Sequence, residues 1–136
     1  MRFCLTFLAM AACLCAAALP APTTVRGRLS VHPNAPATIE TADRQTITLS
    51  ADDTISKVLN DDRLNGFEVE AKGHFTATNK FQIDPSHTIP FLVRKDGHLN
   101  MVTYWCETCS IRDYTPGPCR CCQKETVLDL RDPDAK

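Results

Sequence analysis

The sequence has 136 residues, a formal net charge of −1 and 43% hydrophobic residues, and eight of its residues are cysteine. A chain of this length is enough for one domain with one modest hydrophobic core. Acidic and basic residues nearly balance and form no basic patch, so the composition excludes the electrostatic surface of a nucleic-acid-binding protein.

Residues 1–21 have the pattern of a secretory signal peptide. Arg2 supplies a basic start, a long apolar run without charge follows it, and small residues accumulate up to Ala18 and Ala21. We therefore expect cleavage near one of these alanines, a secreted or periplasmic protein, and no transmembrane anchor. The sequence before Cys13 resembles a lipoprotein box, but the apolar core continues past this cysteine, so we expect no lipid anchor there.

Residues 22–105 are predicted to form a β domain. Alternating apolar and polar residues predict strands at 24–31, 38–41, 46–49, 67–75 and 81–84, and helical spacing predicts a helix at 51–59 with Ser50 as its cap. Two prolines should break the chain at 32–36, and 60–66 should be a polar loop. The order of three strands, a helix and two strands resembles the OB-fold, a five-stranded Greek-key barrel. The alternative is another small all-β sandwich with a surface helix.

A hairpin extends this domain toward the cysteines. Asp96-Gly97 is a strong hairpin signal between predicted strands at 91–94 and 99–105. The second strand runs directly into Cys106, and a closing strand is expected at 126–130. We therefore expect residues 106–130 to form a cysteine-rich knuckle and closing strand in the same compact unit as the β domain.

Five cysteines follow the predicted signal peptide, and four of them form two C-x-x-C pairs. Cys106 pairs in sequence with Cys109 and Cys119 with Cys122, and Cys121 lies inside the second pair. Two such pairs around a Pro-Gly turn have the spacing of a tetrahedral four-thiolate metal site, which suits Zn²⁺ and also Cu⁺. Cys121 is a substitute fourth ligand, although Cys122 gives the better spacing.

This loop resembles the short heavy-metal-binding domain attached to bacterial metal-efflux adaptor proteins. Its opening Tyr104-Trp105-Cys106 and the later Pro-Gly-Pro-Cys119 match that family over about 25 residues. The spacer is one residue shorter than in the family, the Met-His pair is absent, and Gln123 replaces a glycine. The resemblance implies a knuckle of the metal-binding type and does not fix the metal. We predict a mainly β protein, an OB-like barrel with one short helix, extended by a β-hairpin and a zinc-ribbon-like knuckle.

Two other interpretations of the cysteines stay open. Exported domains with thin cores use disulfides, so five cysteines could give two bridges in a periplasmic module that binds a protein partner or a small ligand. Trp105-Cys106-x-x-Cys109 also resembles a thiol–disulfide oxidoreductase motif, but no helical pattern follows it. Scattered histidines, of which His98 is nearest the knuckle, and the lack of a catalytic set lead us to expect no enzymatic activity.

Overall fold

The computed structural model describes residues 21–135, so the predicted signal peptide up to residue 20, including Cys13, lies outside the described part of the chain. Strands dominate these residues. They are β1 (Thr23–His32), β2 (Ala35–Glu40), β3 (Thr46–Ser50), β4 (Glu68–Ala77), β5 (Lys80–Ile83), β6 (Phe91–Lys95), β7 (His98–Cys106), β8 (Ile111–Asp113) and β9 (Val127–Arg131). The same residues form one α-helix, α1 (Asp53–Leu59), and two 3₁₀ turns, Asp62–Leu64 and Ser86–Thr88. Among residues 21–135, no helix has the length and apolar character needed to cross a membrane.

The first five strands close into a barrel. β1 pairs with β2 through its second half and with β4 through its first half, and β2 pairs with β3, all antiparallel. β3 and β5 run parallel, and β5 pairs with β4 to complete the circuit. With α1 between β3 and β4, this is the strand order of an OB-fold, as the sequence predicts.

Two glycines allow the barrel strands to approach one another. A side chain at Gly27 would overlap the carbonyl oxygen of Glu40 on β2, and one at Gly73 would overlap the carbonyl oxygen of Gln82 on β5. Both glycines lie on strands that change partner along their length, where the sheet must bend to close.

Side chains from alternate positions of the strands fill the core of the barrel, because successive residues of a strand point to opposite faces of the sheet. α1 adds three buried apolar side chains to the same cluster, Ile55, Val58 and Leu59. Each such side chain contributes on the order of 2 kcal/mol when fully buried, which is why a seven-residue helix is stable in this position although it would be marginal alone. The cluster includes Tyr104 of β7, so the extension shares the core of the barrel.

The extension continues the sheet of the barrel. β6 pairs with β4 over Phe91 to Arg94 and forms a hairpin with β7, and both turn residues, Asp96 and Gly97, have positive φ as expected of an Asp-Gly turn. β9 pairs with one edge of β7, and β6 and β8 share the other edge. The strand β8 was not predicted.

The predicted helix cap is wrong. α1 begins at Asp53 rather than at residue 51, and Asp52, not Ser50, caps it, since the Asp52 carboxylate accepts the N–H of Ile55 at 2.8 Å. The Ser50 hydroxyl instead donates to Gln82 Oε1 on β5 at 2.8 Å. The pairing of β3 with β5 therefore keeps Ser50 in the strand, and the helix starts later.

The break predicted at 32–36 is also shorter than expected. β1 and β2 are joined by the two residues Pro33 and Asn34, and Asn34 has φ of 62°. Pro36 lies within β2, next to a register shift between Ser30 and His32 of β1. A proline is tolerated there because β2 meets β3 only from Thr38 onward, so no ladder bond to β3 is lost.

Candidate metal centre

The first C-x-x-C pair forms a tight turn at the end of β7. Cys106 is the last residue of that strand, and its carbonyl oxygen accepts the N–H of Ser110 at 2.8 Å before the chain returns as β8. Ser110 takes the left-handed conformation with φ of 53°. The turn directs the N–H groups of Thr108 and Cys109 at the Cys106 sulfur. A sulfur that receives two backbone N–H groups is well suited to carry the negative charge of a metal-bound thiolate.

The second pair repeats this geometry. The carbonyl oxygen of Cys119 accepts the N–H of Gln123 at 2.9 Å, and Gln123 has φ of 60°. The N–H of Cys121 donates to the Cys119 sulfur at 3.4 Å. The N–H of Cys119 donates to the carbonyl oxygen of Lys124 at 2.8 Å, which closes the base of the turn. Gln123, where the resembling family has glycine, thus occupies a conformation that glycine adopts most readily.

The segment between the turns brings them face to face. Gly117, with φ of 133°, lets the chain reverse, and the hydroxyl of Thr126 donates to its carbonyl oxygen at 2.8 Å. Lys124 of the second turn donates to the hydroxyl of Thr108 in the first at 3.3 Å. Arg120, also in the second turn, pairs with Asp113 of β8 at 3.2 Å. These exposed contacts contribute little energy singly, and they link the second turn to the first turn and to β8.

The two turns place four sulfurs together. The Sγ atoms of Cys106, Cys109, Cys119 and Cys122 all lie within 4.8 Å of one another, and Cys106 and Cys119 are buried while Cys109 and Cys122 are half-buried. The Cys106 and Cys122 sulfurs are 3.5 Å apart. In a tetrahedron with metal–sulfur bonds of about 2.3 Å, neighbouring sulfurs lie about 3.8 Å apart, whereas a disulfide needs about 2.05 Å. The cluster therefore has the dimensions of a site that could hold one metal ion.

The sulfurs differ in acidity for identifiable reasons. The N–H groups of Cys122 and Cys121 lower the pKa of the Cys119 thiol to about 7. Hydrogen bonds with the thiols of Cys121 and Cys122 raise the pKa of Cys109. The N–H of Cys109 favours the Cys106 thiolate, but burial and contacts with neighbouring thiols outweigh it and raise the pKa of Cys106. Cys119 is thus the most acidic of these three thiols, and a bound cation would favour ionisation of the others.

The remaining sequence candidates lie outside this group of four. Cys121, predicted as a substitute ligand, is exposed and is not among the four cysteines whose sulfurs converge. His98 is the first residue of β7 and Cys106 the last, so a nine-residue strand of about 27 Å separates them. His98 is exposed and does not join the cluster.

The two aromatic residues before Cys106 differ in exposure. Tyr104 is fully buried. Trp105 is half-buried, and the guanidinium of Arg112 stacks over its ring with 4.9 Å to the centroid. Arg112 also pairs with Asp129 of β9 at 2.9 Å, so β8 and β9 are tied across β7 next to the cysteines.

A buried polar network around Asp61 was missed from the sequence. Asp61, placed in a polar loop, is only 9% exposed, and it accepts the Tyr104 hydroxyl at 2.9 Å and the Arg63 Nε at 2.9 Å. Arg63 also donates to the carbonyl oxygen of Thr126 at 2.9 Å. The network therefore joins three segments. They are the first 3₁₀ turn (Asp62–Leu64), the strand β7 that leads into the first cysteine turn, and Thr126, which follows the second cysteine turn. The buried Leu64 beside it was the available sequence signal, an apolar residue in an otherwise polar segment.

Comparison with known proteins gives no match, whether to family models, to curated proteins or to solved structures. What the structure supports of the resemblance is a small β-barrel that carries a cluster of four cysteines, Cys106, Cys109, Cys119 and Cys122, with the dimensions of a metal site.

Proposed function

We propose that this chain is an exported, non-enzymatic metal-binding protein that holds one Zn²⁺ ion, or alternatively Cu⁺, on the sulfurs of Cys106, Cys109, Cys119 and Cys122. The observation that carries the proposal is the convergence of these four sulfurs within 4.8 Å. The ion would either stabilise the knuckle or be passed to another protein. Export is inferred from residues 1–21.

The backbone around the sulfurs supports a thiolate site. N–H groups from both turns reach the sulfurs of Cys106 and Cys119, which come from opposite sides of the cluster. A four-thiolate Zn²⁺ site has a net charge of −2, and backbone N–H donors to the sulfurs help to offset this charge. All four candidate ligands are at least half-buried, so water has limited access to the bonds.

The experiment is metal content with a thiol count on protein purified without chelator or reductant. Elemental analysis is expected to find about one ion per chain, and thiol titration in denaturant with chelator is expected to recover five reactive cysteines in the chain from residue 21 onward. Cys106→Ser and Cys119→Ser are expected to lose the ion, and Cys121→Ser is expected to keep it. Protein with no metal and two disulfides would contradict the proposal.

The second candidate function is a disulfide-stapled binding module, and one observation favours it. An apolar groove with a volume of about 500 Å³ lies between α1, the second 3₁₀ turn, β6, β7 and the segment between the two C-x-x-C pairs, lined by Ile55, Val58, Ile89, Phe91, Val102 and Tyr114. Ile89 has φ of 50°, which is uncommon for a β-branched residue. The two-disulfide outcome of the experiment above would favour this function, with a small apolar molecule as the ligand that fits the groove.

The oxidoreductase interpretation finds less support in the geometry. Such enzymes place the reactive cysteine at the N-terminus of a helix, where the helix lowers its pKa. Cys106 instead ends a strand, is 1% exposed and is followed by a turn and β8. Its pKa is raised rather than lowered, because burial and neighbouring thiols outweigh the N–H of Cys109.

A further inference from the structure

One ion pair in the loop after α1 contacts both segments that carry the candidate metal ligands. The Asp61 carboxylate binds the Arg63 guanidinium twice, at 2.9 Å from Nε to Oδ1 and at 2.9 Å from Nη2 to Oδ2. Asp61 is buried, whereas the side chain of Arg63 is 40% exposed. A bidentate pair of planar groups fixes direction as well as distance, so it can hold two segments in a defined relation.

The carboxylate of this pair contacts the segment that leads into the first cysteine turn. Asp61 accepts the Tyr104 hydroxyl at 2.9 Å in a buried hydrogen bond. Tyr104 lies on β7, two residues before Cys106, which is the last residue of that strand. Because the strand is continuous between them, a displacement of Tyr104 also displaces Cys106.

The guanidinium of the pair contacts the segment that carries the second cysteine turn. Arg63 donates to the carbonyl oxygen of Thr126 at 2.9 Å. The buried hydroxyl of Thr126 in turn donates to the carbonyl oxygen of Gly117 at 2.8 Å. Gly117 lies two residues before Cys119, and Thr126 lies four residues after Cys122. This hydrogen bond therefore closes the loop that contains the second turn.

We propose that Asp61 and Arg63 are positioning residues for the metal site, and that their ion pair keeps the two cysteine turns at the separation at which four sulfurs can hold one ion. The inference rests on the proposed function and deepens it. It makes the affinity for the metal depend on two residues of the barrel that are no metal ligands.

The backbone pairing of β7 with β9 does not by itself account for this positioning. The ladder ends with the pair of Trp105 and Val127, and Cys106 has no partner on β9. Beyond that end, the segment of the second turn is held by a single isolated bridge between Pro118 and Glu125. The hydrogen bonds from Asp61 and Arg63 reach the residues that directly precede the last pair on each strand, so they act where the ladder stops.

The test is the affinity for zinc, measured by competition with a chromogenic chelator. Asp61→Ala is expected to raise the Kd for zinc about tenfold, the lower end of the range for residues that orient metal ligands. Tyr104→Phe and Thr126→Val remove the contact with one turn each and are expected to raise it by a smaller factor. Glu70→Ala is the matched control, because Glu70 is a buried carboxylate that pairs with Arg26 at 2.8 Å and contacts neither cysteine turn. It is expected to leave the Kd unchanged.

The rise in melting temperature that zinc produces is a second measurement. A residue that only stabilises the fold lowers the melting temperature of metal-free and zinc-loaded protein alike, whereas a positioning residue also reduces the rise on zinc binding. Asp61→Ala is therefore expected to show a smaller rise than the wild-type protein, and Glu70→Ala an equal one.

The outcomes separate this inference from the proposed function. Equal zinc affinity of the wild-type protein and Asp61→Ala, or an equal loss of affinity in Asp61→Ala and Glu70→Ala, would overturn the inference and leave the metal site intact. If Asp61→Ala does not fold, unchanged affinity in both Tyr104→Phe and Thr126→Val would overturn it. Failure of the wild-type protein to take up zinc would contradict the proposed function, and the positioning role with it.

Discussion

The hydrogen bond between Tyr104 and Asp61 gives the sharpest prediction about how the barrel supports the cysteine region. Tyr104→Phe removes only a hydroxyl that donates to the Asp61 carboxylate at 2.9 Å, and Tyr104 is fully buried. A buried hydrogen bond to a charged group contributes about 2 kcal/mol, so we expect the free energy of unfolding to fall by that amount. Tyr114→Phe is the matched control, because Tyr114 is 55% exposed and should change stability by less than about 0.5 kcal/mol.

A double-mutant cycle makes the same prediction quantitative. Asp61→Ala also removes the contacts with Arg63 and leaves the Tyr104 hydroxyl without a partner, so we expect a loss of about 3 kcal/mol. Arg63 is 40% exposed and can be rehydrated, which limits the loss. Once the carboxylate is absent, the hydroxyl has no bond to lose, and Tyr104→Phe then removes an unpaired buried hydroxyl, so the double variant should be at least as stable as Asp61→Ala.

Urea unfolding at pH 7 measures these differences in the free energy of unfolding, provided that its dependence on urea concentration, the m value, is the same for all variants. The expected coupling energy between the two positions is at least about 2 kcal/mol. If the two losses add to within about 0.5 kcal/mol, the hydrogen bond contributes nothing and the reasoning is refuted.

The pH dependence follows from the acidity of Asp61. Burial alone would raise the pKa of this carboxyl, but hydrogen bonds from Arg63 and Tyr104 outweigh it and lower the pKa below its ordinary value of 3.8. A lowered pKa means that the stabilisation is fully present above the ordinary value and is lost as the pH falls through the folded-state pKa. The stability difference between wild type and Asp61→Asn should therefore be constant above about pH 5 and shrink below 3.8. A difference that grows in acid would contradict this assignment.

Three further predictions concern the helix, the barrel and the second cysteine turn. Asp52→Ala should lower the free energy of unfolding in urea by about 1 kcal/mol, because the carboxylate caps α1 and also accepts an N–H of the second 3₁₀ turn. Asp53→Ala should lower it little, and equal losses would show that the cap is misassigned. Gly73→Ala should lower the free energy of unfolding by about 3 kcal/mol, because the added methyl group would overlap β5. Gly66→Ala should lower it by about 1 kcal/mol, because position 66 has open space but a positive φ. A larger loss for Gly66→Ala than for Gly73→Ala would exclude the close approach of β4 and β5 at Gly73. Gln123→Gly should raise the melting temperature of the metal-free protein, because it relieves about 1 kcal/mol of strain from the left-handed backbone conformation of residue 123. A lower melting temperature would contradict this turn geometry.

The strand order could be read from the sequence because alternation is a local property. The predicted strands and the Asp-Gly turn at Gly97 agree with the structure, and the two C-x-x-C spacings identified the four cysteines that the structure brings together. A C-x-x-C turn needs only its own residues to point both sulfurs the same way, so spacing alone carries the signal.

What the sequence did not reveal depends on contacts between distant residues. Ser50 has the residue type of a helix cap, but its bond to β5 keeps it in a strand. The strand β8 (Ile111–Asp113) has three residues and no apolar alternation, and it exists because β7 offers it an edge. Asp61 is typical of a solvated loop until Tyr104, 43 positions away, covers it. Local patterns do not contain these partners.

X-ray absorption fine structure at the edge of the bound metal shows directly whether four thiolates form one metal site. For zinc, we predict one shell of four sulfurs at about 2.3 Å, from Cys106, Cys109, Cys119 and Cys122. The same spectrum is expected from Cys121→Ser. Fewer than four sulfurs, or nitrogen and oxygen neighbours near 2.0 Å in their place, would contradict it.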